Sequence, residues 1–182
     1  KPSSAASDVY KRQMLVEGYG LTETSPVLTI NPLDDTRRAG TIGLPLPDTQ
    51  LRIGDPHDLS RTQPDGEAGE ILARGPQVFS GYLADAPATA TAFHDGWFRT
   101  GDMGVREPDG HIRLVGRIKE IIITGGFNVY PGEVEEALTS HPDIAQAAVV
   151  GVPRSDGSED VAACAVLAPG AQLNEPALRD HC

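Results

Sequence analysis

Gly18, Tyr19, Gly20, Leu21, Thr22, Glu23 and Thr24 place an aromatic ring, two glycines, hydroxyls and a carboxylate within seven residues. Such a segment can lay a planar base against Tyr19, offer the Thr22 hydroxyl to a phosphate oxygen and present Glu23 to a hard cation. The same spacing also describes a turn around a structural tyrosine. Further along, Trp97-Phe98-Arg99-Thr100-Gly101-Asp102 sets a carboxylate directly after a glycine. An aspartate there suits the two adjacent hydroxyls of a ribose, and an Asx-type turn uses the same residues. Gly116-Arg117-Ile118-Lys119-Glu120 gathers charge as a solvated linker does. Thr124-Gly125-Gly126 allows close approach of a ligand to the backbone, or forms a plain turn. Gly69-Glu70-Ile71, followed by Gly75, Val78 and Gly81-Tyr82, reads as a structural strand and bend.

The elements that position these groups are short. Thr41 to Pro47, Gln50 to Ile53 and Glu70 to Ala73 are apolar segments punctuated by Gly, Pro and Asp, and they predict strands and turns. Asp55 to Gly69 holds two prolines and two glycines among polar residues, the composition of a surface hairpin or loop. Pro87 to His94 predicts a short helix, Gly96 to Gly101 a sharp turn, and His111 to Val115 a strand. The β-branched run Ile121 to Ile123 predicts another strand. Pro131 then opens a helix with Glu133, Glu135 and Glu136 near its positive end and Val134, Ala137 and Leu138 on its apolar stripe. Ala145 to Val152 and Val161 to Leu167 predict buried strands, and Asn174-Glu175-Pro176 starts a last helix. The pattern is that of a mixed α/β (α+β) protein.

Composition excludes several functions. The chain has 182 residues, 15 Lys+Arg against 26 Asp+Glu, and a formal net charge of −11. That excess of acid repels phosphate backbones and anionic lipid, so nucleic acid is not an expected partner. No apolar run approaches the roughly 20 residues of a membrane-spanning helix. Cys164 and Cys182 have neither zinc-ligand spacing nor the density of a secreted disulfide scaffold, which makes a reducing, cytoplasmic setting the default. Lys119 to Cys182 carries 3 basic and 10 acidic residues against 12 and 16 before it, and this compositional break near residue 118 predicts a second, smaller domain.

Four segments, taken in order, resemble the signature blocks of the adenylate-forming (acyl-activating) enzyme superfamily: YGLTETSP, GEILARGPQVFSGY, DGWFRTGD and GRIKEIIITGGFNVYPGEVE. The resemblance runs from Met14 to Cys182. GGFNVYPGEVE and HPDIAQAAVVGVPRSDGSEDV are phrased most like bacterial medium- and long-chain fatty-acyl-CoA ligases. It implies a two-step reaction in which a carboxylic acid and ATP give an acyl-adenylate and pyrophosphate, and CoA then gives the thioester and AMP. By the same resemblance Tyr19 packs on the adenine beside Gly20, Thr22 contacts the α-phosphate and Glu23 holds Mg²⁺. Asp102 accepts from the ribose hydroxyls with help from Arg117, Lys119 is the hinge residue, and Gly125 and Gly126 line the approach of pantetheine.

The resemblance also implies boundaries: residues 14–117 as the end of the large AMP-binding domain with a small β-rich subdomain, 118–120 as hinge, and 121–182 as the incomplete small C-terminal domain. The family's phosphate loop ending in Lys-Gly and its C-terminal lysine have no counterpart here, so a C-terminal fragment, inactive alone, is expected. KPSSAASDVYKRQ matches nothing the family places before YGLTE, and residues 1–13 are expected to be a non-native or disordered tail. The alternatives are an aryl-CoA or aminoacyl-adenylating relative and a non-catalytic nucleotide-binding remnant. Chain length of the acid and oligomeric state are not encoded in these motifs.

Overall fold

The computed structural model describes residues 15–182 apart from Asp156, Leu173 and Cys182, so the tail expected over residues 1–13 lies outside the described residues. Among these residues many short strands accompany three short α-helices. The chain divides into two units between Leu114 and Val115.

The first unit begins with a small antiparallel sheet of β1 (Gly18–Tyr19), β2 (Thr29–Ile30) and β3 (Leu44–Pro45), in that order. The strand expected over Thr41 to Pro47 contracts to β3 and a single bridge between Gly43 and Ile112, because Pro45 and Pro47 cannot donate to a ladder. A larger sheet follows, built from β4 (Gln50–Asp55), β5 (Asp58–Thr62), β6 (Ala68–Arg74), β7 (Phe93–His94) and β8 (Trp97–Arg106) in the order β5-β4-β6-β8-β7. The next strand, β9 (Ile112–Arg117), starts in this unit, pairs with β8 and runs across the division. The polar stretch Asp55 to Gly69 forms a hairpin, with β5 laid antiparallel on β4. Helix α1 (Ala86–Ala92) is capped by Asp85, whose side chain accepts from the Ala88 N–H at 2.9 Å.

Two observations correct the sequence expectation for Gly96 to Gly101. The turn comes earlier, at Asp95 and Gly96, whose φ angles are 48° and 74°. The chain then runs as one ten-residue strand through Gly101 to Arg106. Within that strand the register with β6 shifts: Glu70 faces Met103, whereas Leu72 faces Arg99. Four steps along β8 therefore oppose two along β6, which is a β-bulge over Thr100, Gly101 and Asp102. Gly101 has φ 73°, a conformation cheap only for glycine.

β6 is the central strand and is buried from Gly69 to Ala73. Ile71, Leu72 and Ala73 are fully buried. One core cluster joins Leu28, Ala73 and Phe98, and a second joins Ile53, Ile71 and Ile112; Tyr19 packs against both.

The second unit opens with a hairpin of β10 (Ile122–Thr124) and β11 (Phe127–Val129). Helix α2 (Pro131–Ser140) follows, with Pro131 in its first turn. The strands β12 (Ile144–Pro153) and β13 (Glu159–Leu167) pair antiparallel, and α2 lies on β12. Ile122, Leu138 and Val149 make the core of this unit, joined by Val129, Val134 and Ala147. Glu135 ties the helix to the strand by accepting from the Val149 N–H at 2.9 Å. Helix α3 (Glu175–His181) begins where Asn174 Oδ1 accepts from the Ala177 N–H at 3.2 Å. Among the described residues no helix is long and apolar enough to cross a membrane.

Candidate active site

Tyr19 and Asp102 come from separate sheets and separate sequence blocks, and they meet: the Tyr19 hydroxyl donates to Asp102 Oδ2 at 2.7 Å. Two features bring them together. Tyr19 ends β1 and packs against both core clusters of the first unit, and Asp102 lies in the bulge of β8, on the same buried alternation as Phe98 and Thr100. Asp102 is 5 % exposed, so this carboxylate is preorganised rather than solvated. The sequence expectation gave the Tyr19 ring to a nucleotide base; its ring also packs against the protein's own core, and its hydroxyl is committed to Asp102.

The bulge itself is held from β6. Thr100 Oγ1 donates to the Ile71 carbonyl at 2.8 Å and accepts from the Asp102 N–H at 3.1 Å. The Gly101 N–H donates to Glu70 Oε1 at 3.2 Å. Glu70, 1 % exposed, also receives the Arg99 guanidinium, from Nε at 3.1 Å and from Nη2 at 2.9 Å to Oε2.

Thr22 and Glu23 sit on a single 3₁₀ turn, Thr22–Thr24. Thr24 is fully buried and closes that turn: its Oγ1 accepts from the Leu21 N–H at 2.8 Å and donates to the Leu21 carbonyl at 2.9 Å. Thr22, two residues earlier, is exposed. Glu23 is held twice by the segment after β6. Its carbonyl accepts from the Phe79 N–H at 2.8 Å, and its Oε1 accepts from the Tyr82 hydroxyl at 2.9 Å. Phe79 is anchored in turn by ring contacts with Tyr82, Phe93 and Phe98. The bond to the Glu23 carboxylate, with smaller contributions from burial and charge, pushes the Tyr82 phenol above its ordinary range.

Among the described residues no group of three His, Cys, Asp or Glu converges as a metal cage. A single held, half-buried carboxylate such as Glu23 suits Mg²⁺, which keeps several waters and takes its remaining oxygens from phosphates. Gly20 also has a structural role. A Cβ at Gly20 would lie 1.7 Å from the Pro26 carbonyl oxygen, so the close approach that requires glycine there is by the chain itself.

In the second unit, Lys119 lies exposed in the 3₁₀ turn Ile118–Glu120, two residues beyond the exposed Arg117. Gly125 and Gly126 form the tip of the β10–β11 hairpin with φ of 56° and 84°, the left-handed pair of a tight two-residue turn. Their surroundings are open: nothing lies within 4 Å of a Cβ built at Gly126. Burial, with Glu133 nearby, raises the pKa of Tyr130 just after this hairpin.

Reading the block GEILARGPQVFSGY as merely structural missed Glu70 and Tyr82. One signal was available, since a glutamate inside the apolar run Glu70 to Ala73 must be paired if the strand is buried. No such signal marked Tyr82, Thr24 or Thr100.

Residues 2–83 match the AMP-binding enzyme family, and residues 133–182 match the AMP-binding enzyme C-terminal domain. The chain is 44 % identical over 149 residues to the long-chain-fatty-acid–CoA ligase of Salmonella typhimurium, covering 82 % of this chain and 26 % of that protein. It is 43 % identical over 177 residues to the indoleacetate–CoA ligase of Aromatoleum aromaticum, covering 95 % and 34 % respectively. The crystal structure of ATP-bound MatB from Rhodopseudomonas palustris superposes with a TM-score of 0.87 at 37 % identity, over 98 % of this chain and 35 % of MatB. The chain thus spans about a quarter to a third of the length of these relatives. With both family matches in sequence order, and relatives more than 40 % identical over most of its length, the chain belongs to the AMP-binding, adenylate-forming enzyme family.

Proposed function

We propose that this chain forms the ribose-binding edge and the small C-terminal domain of an ATP-dependent fatty-acyl-CoA ligase. A carboxylate oxygen attacks the α-phosphorus of ATP and pyrophosphate leaves. The CoA thiol, giving up its proton, then attacks the acyl carbon of the adenylate, and AMP leaves with the C–O bond electrons. A carboxylate is a poor acyl donor because its leaving group is oxide, and the adenylate supplies a good one. Such catalysis rests on positioning and on stabilising phosphoryl charge.

The observation that carries the reading is the Tyr19–Asp102 hydrogen bond. It fixes a buried carboxylate beside an aromatic ring, which is the recognition chemistry of a nucleoside. In this reading Asp102 accepts from the ribose hydroxyls, Tyr19 lines the base with Gly20 beside it, Thr22 meets the α-phosphate, and Glu23 holds Mg²⁺. Arg117 assists at the ribose, and Gly125 and Gly126 admit pantetheine. Lys119 and its neighbours, residues 118–120, serve as the hinge between adenylation and thioester formation.

Calorimetric titration of the 182-residue chain with AMP tests the nucleotide part: saturable binding that Asp102→Ala weakens by on the order of tenfold is expected, and equal affinity in both proteins overturns it. A panel of acids in a full-length ligase carrying this segment tests the rest. Its relatives activate fatty acids, sulfoacetate and indoleacetate according to their names, and preference for an aryl acid over a fatty acid overturns the fatty-acyl assignment.

A further inference from the structure

We infer that Glu70 is the positioning residue for ribose recognition: from the central strand it holds the β-bulge that aims Asp102, without itself touching the nucleotide. The inference rests on the reading of Asp102 as the acceptor of the ribose hydroxyls.

A carboxylate at Glu70 is a poor choice for packing. It is 1 % exposed on a strand buried from Gly69 to Ala73, and an apolar residue of similar size avoids the desolvation cost. What a carboxylate supplies is two acceptors, and both are used on β8. Oε2 takes the Arg99 Nε and Nη2 at the start of the bulge, and Oε1 takes the Gly101 N–H in its middle. These two points bracket Thr100, whose hydroxyl bridges Ile71 and the Asp102 N–H. A bulge removes amides from the regular ladder and leaves its own conformation to be set by other contacts. The Glu70 carboxylate is one such contact on each side of the turn that points Asp102 toward Tyr19. Glutamine does not replace it: one amide oxygen can accept from the Gly101 N–H and Arg99 Nε, as Oε1 does, but the amide NH₂ in the place of Oε2 would face the Arg99 Nη2 donor, and the charge that pairs the guanidinium is lost.

Ribose selectivity separates this role from general support of the fold. The 182-residue chain and Glu70→Gln are titrated calorimetrically with AMP and with 2′,3′-dideoxyadenosine monophosphate, after thermal melting confirms that the variant folds. The unsubstituted chain is expected to prefer AMP by on the order of tenfold. Glu70→Gln is expected to reduce that preference to within about twofold while its affinity for the dideoxy nucleotide is unchanged. If Glu70→Gln does not fold, Arg99→Gln opens the same ion pair from its half-exposed side and is expected to lower the preference in the same direction. Loss of both affinities in parallel, or retention of the full preference, overturns the positioning role while leaving the Asp102 reading intact. Absence of any preference in the unsubstituted chain overturns the Asp102 reading and this inference with it.

Discussion

The Tyr19 hydroxyl and Asp102 Oδ2 are 2.7 Å apart although 83 positions separate them in sequence. Tyr19→Phe removes the hydroxyl that makes this bond and keeps the ring. A hydrogen bond to a carboxylate of this kind contributes about 1.5 kcal/mol. The variant is expected to lose that much stability, read from its urea midpoint, and to bind AMP more weakly. Unchanged stability and affinity would remove Tyr19 from the preorganisation of Asp102.

Tyr82 reports on Glu23. Its raised pKa comes first from its hydrogen bond to the Glu23 carboxylate, so Glu23→Gln is expected to bring the phenol back down toward its ordinary value. Absorbance titration near 295 nm, with Tyr82→Phe to identify the transition, measures this. The sign for stability follows: a phenol whose folded pKa is raised stabilises the fold below the unfolded pKa of about 10 and loses that contribution as pH rises through the folded value. Mg²⁺ bound at Glu23 competes for the same carboxylate and is expected to lower the Tyr82 transition in the same way. A transition insensitive to both changes would separate Tyr82 from Glu23 in solution.

Gly101 tests the bulge through the backbone alone. No atom lies within 4 Å of a Cβ built there, so Gly101→Ala introduces no clash, and its effect comes from holding alanine at φ 73°. The expected cost is about 1–2 kcal/mol, with AMP affinity falling if the bulge relaxes toward a regular strand. A fully stable variant with normal affinity would show that the left-handed conformation is not needed.

Lys119→Pro bears on the hinge. The residue sits in a 3₁₀ turn closed by the Ile121 N–H donating to the Ile118 carbonyl at 3.3 Å, and proline restricts φ at its centre. In a full-length ligase carrying this segment, thioester formation is expected to fall at least tenfold more than adenylate formation. Pyrophosphate release and acyl-CoA production, followed separately, measure the two steps. Equal loss in both would count against rotation about residue 119.

Most of the elements were legible because their causes are local. Helix α2 starts at Pro131 and carries its apolar stripe on Val134, Ala137 and Leu138, and both strands of the β12–β13 pair are apolar runs bounded by turn residues. The burial expected of those two strands is not found: only Ile144 and Val149 of β12 are buried and no residue of β13 is, because α2 covers one face of β12 alone. Where local pattern misled, a non-local partner decided. Trp97 to Arg106 contains Gly101 and Gly104, yet it runs as one strand because β6 pairs with it on both sides of the bulge.

The order and wording of the signature blocks, and with them the family, are properties of the sequence alone, since residue type and spacing carry them. So are the acidic balance and the candidate residues Tyr19, Thr22, Glu23 and Asp102. The tertiary structure alone decided how those residues are held. Glu70 meets Arg99 and Gly101 from 29 and 31 positions away, and Tyr82 meets Glu23 from 59. Such partners depend on strand order and on a register shift at one point of a ladder, and neither leaves a periodicity in the chain, because a hydrogen bond between strands is set by their distance in space and not by their separation in sequence.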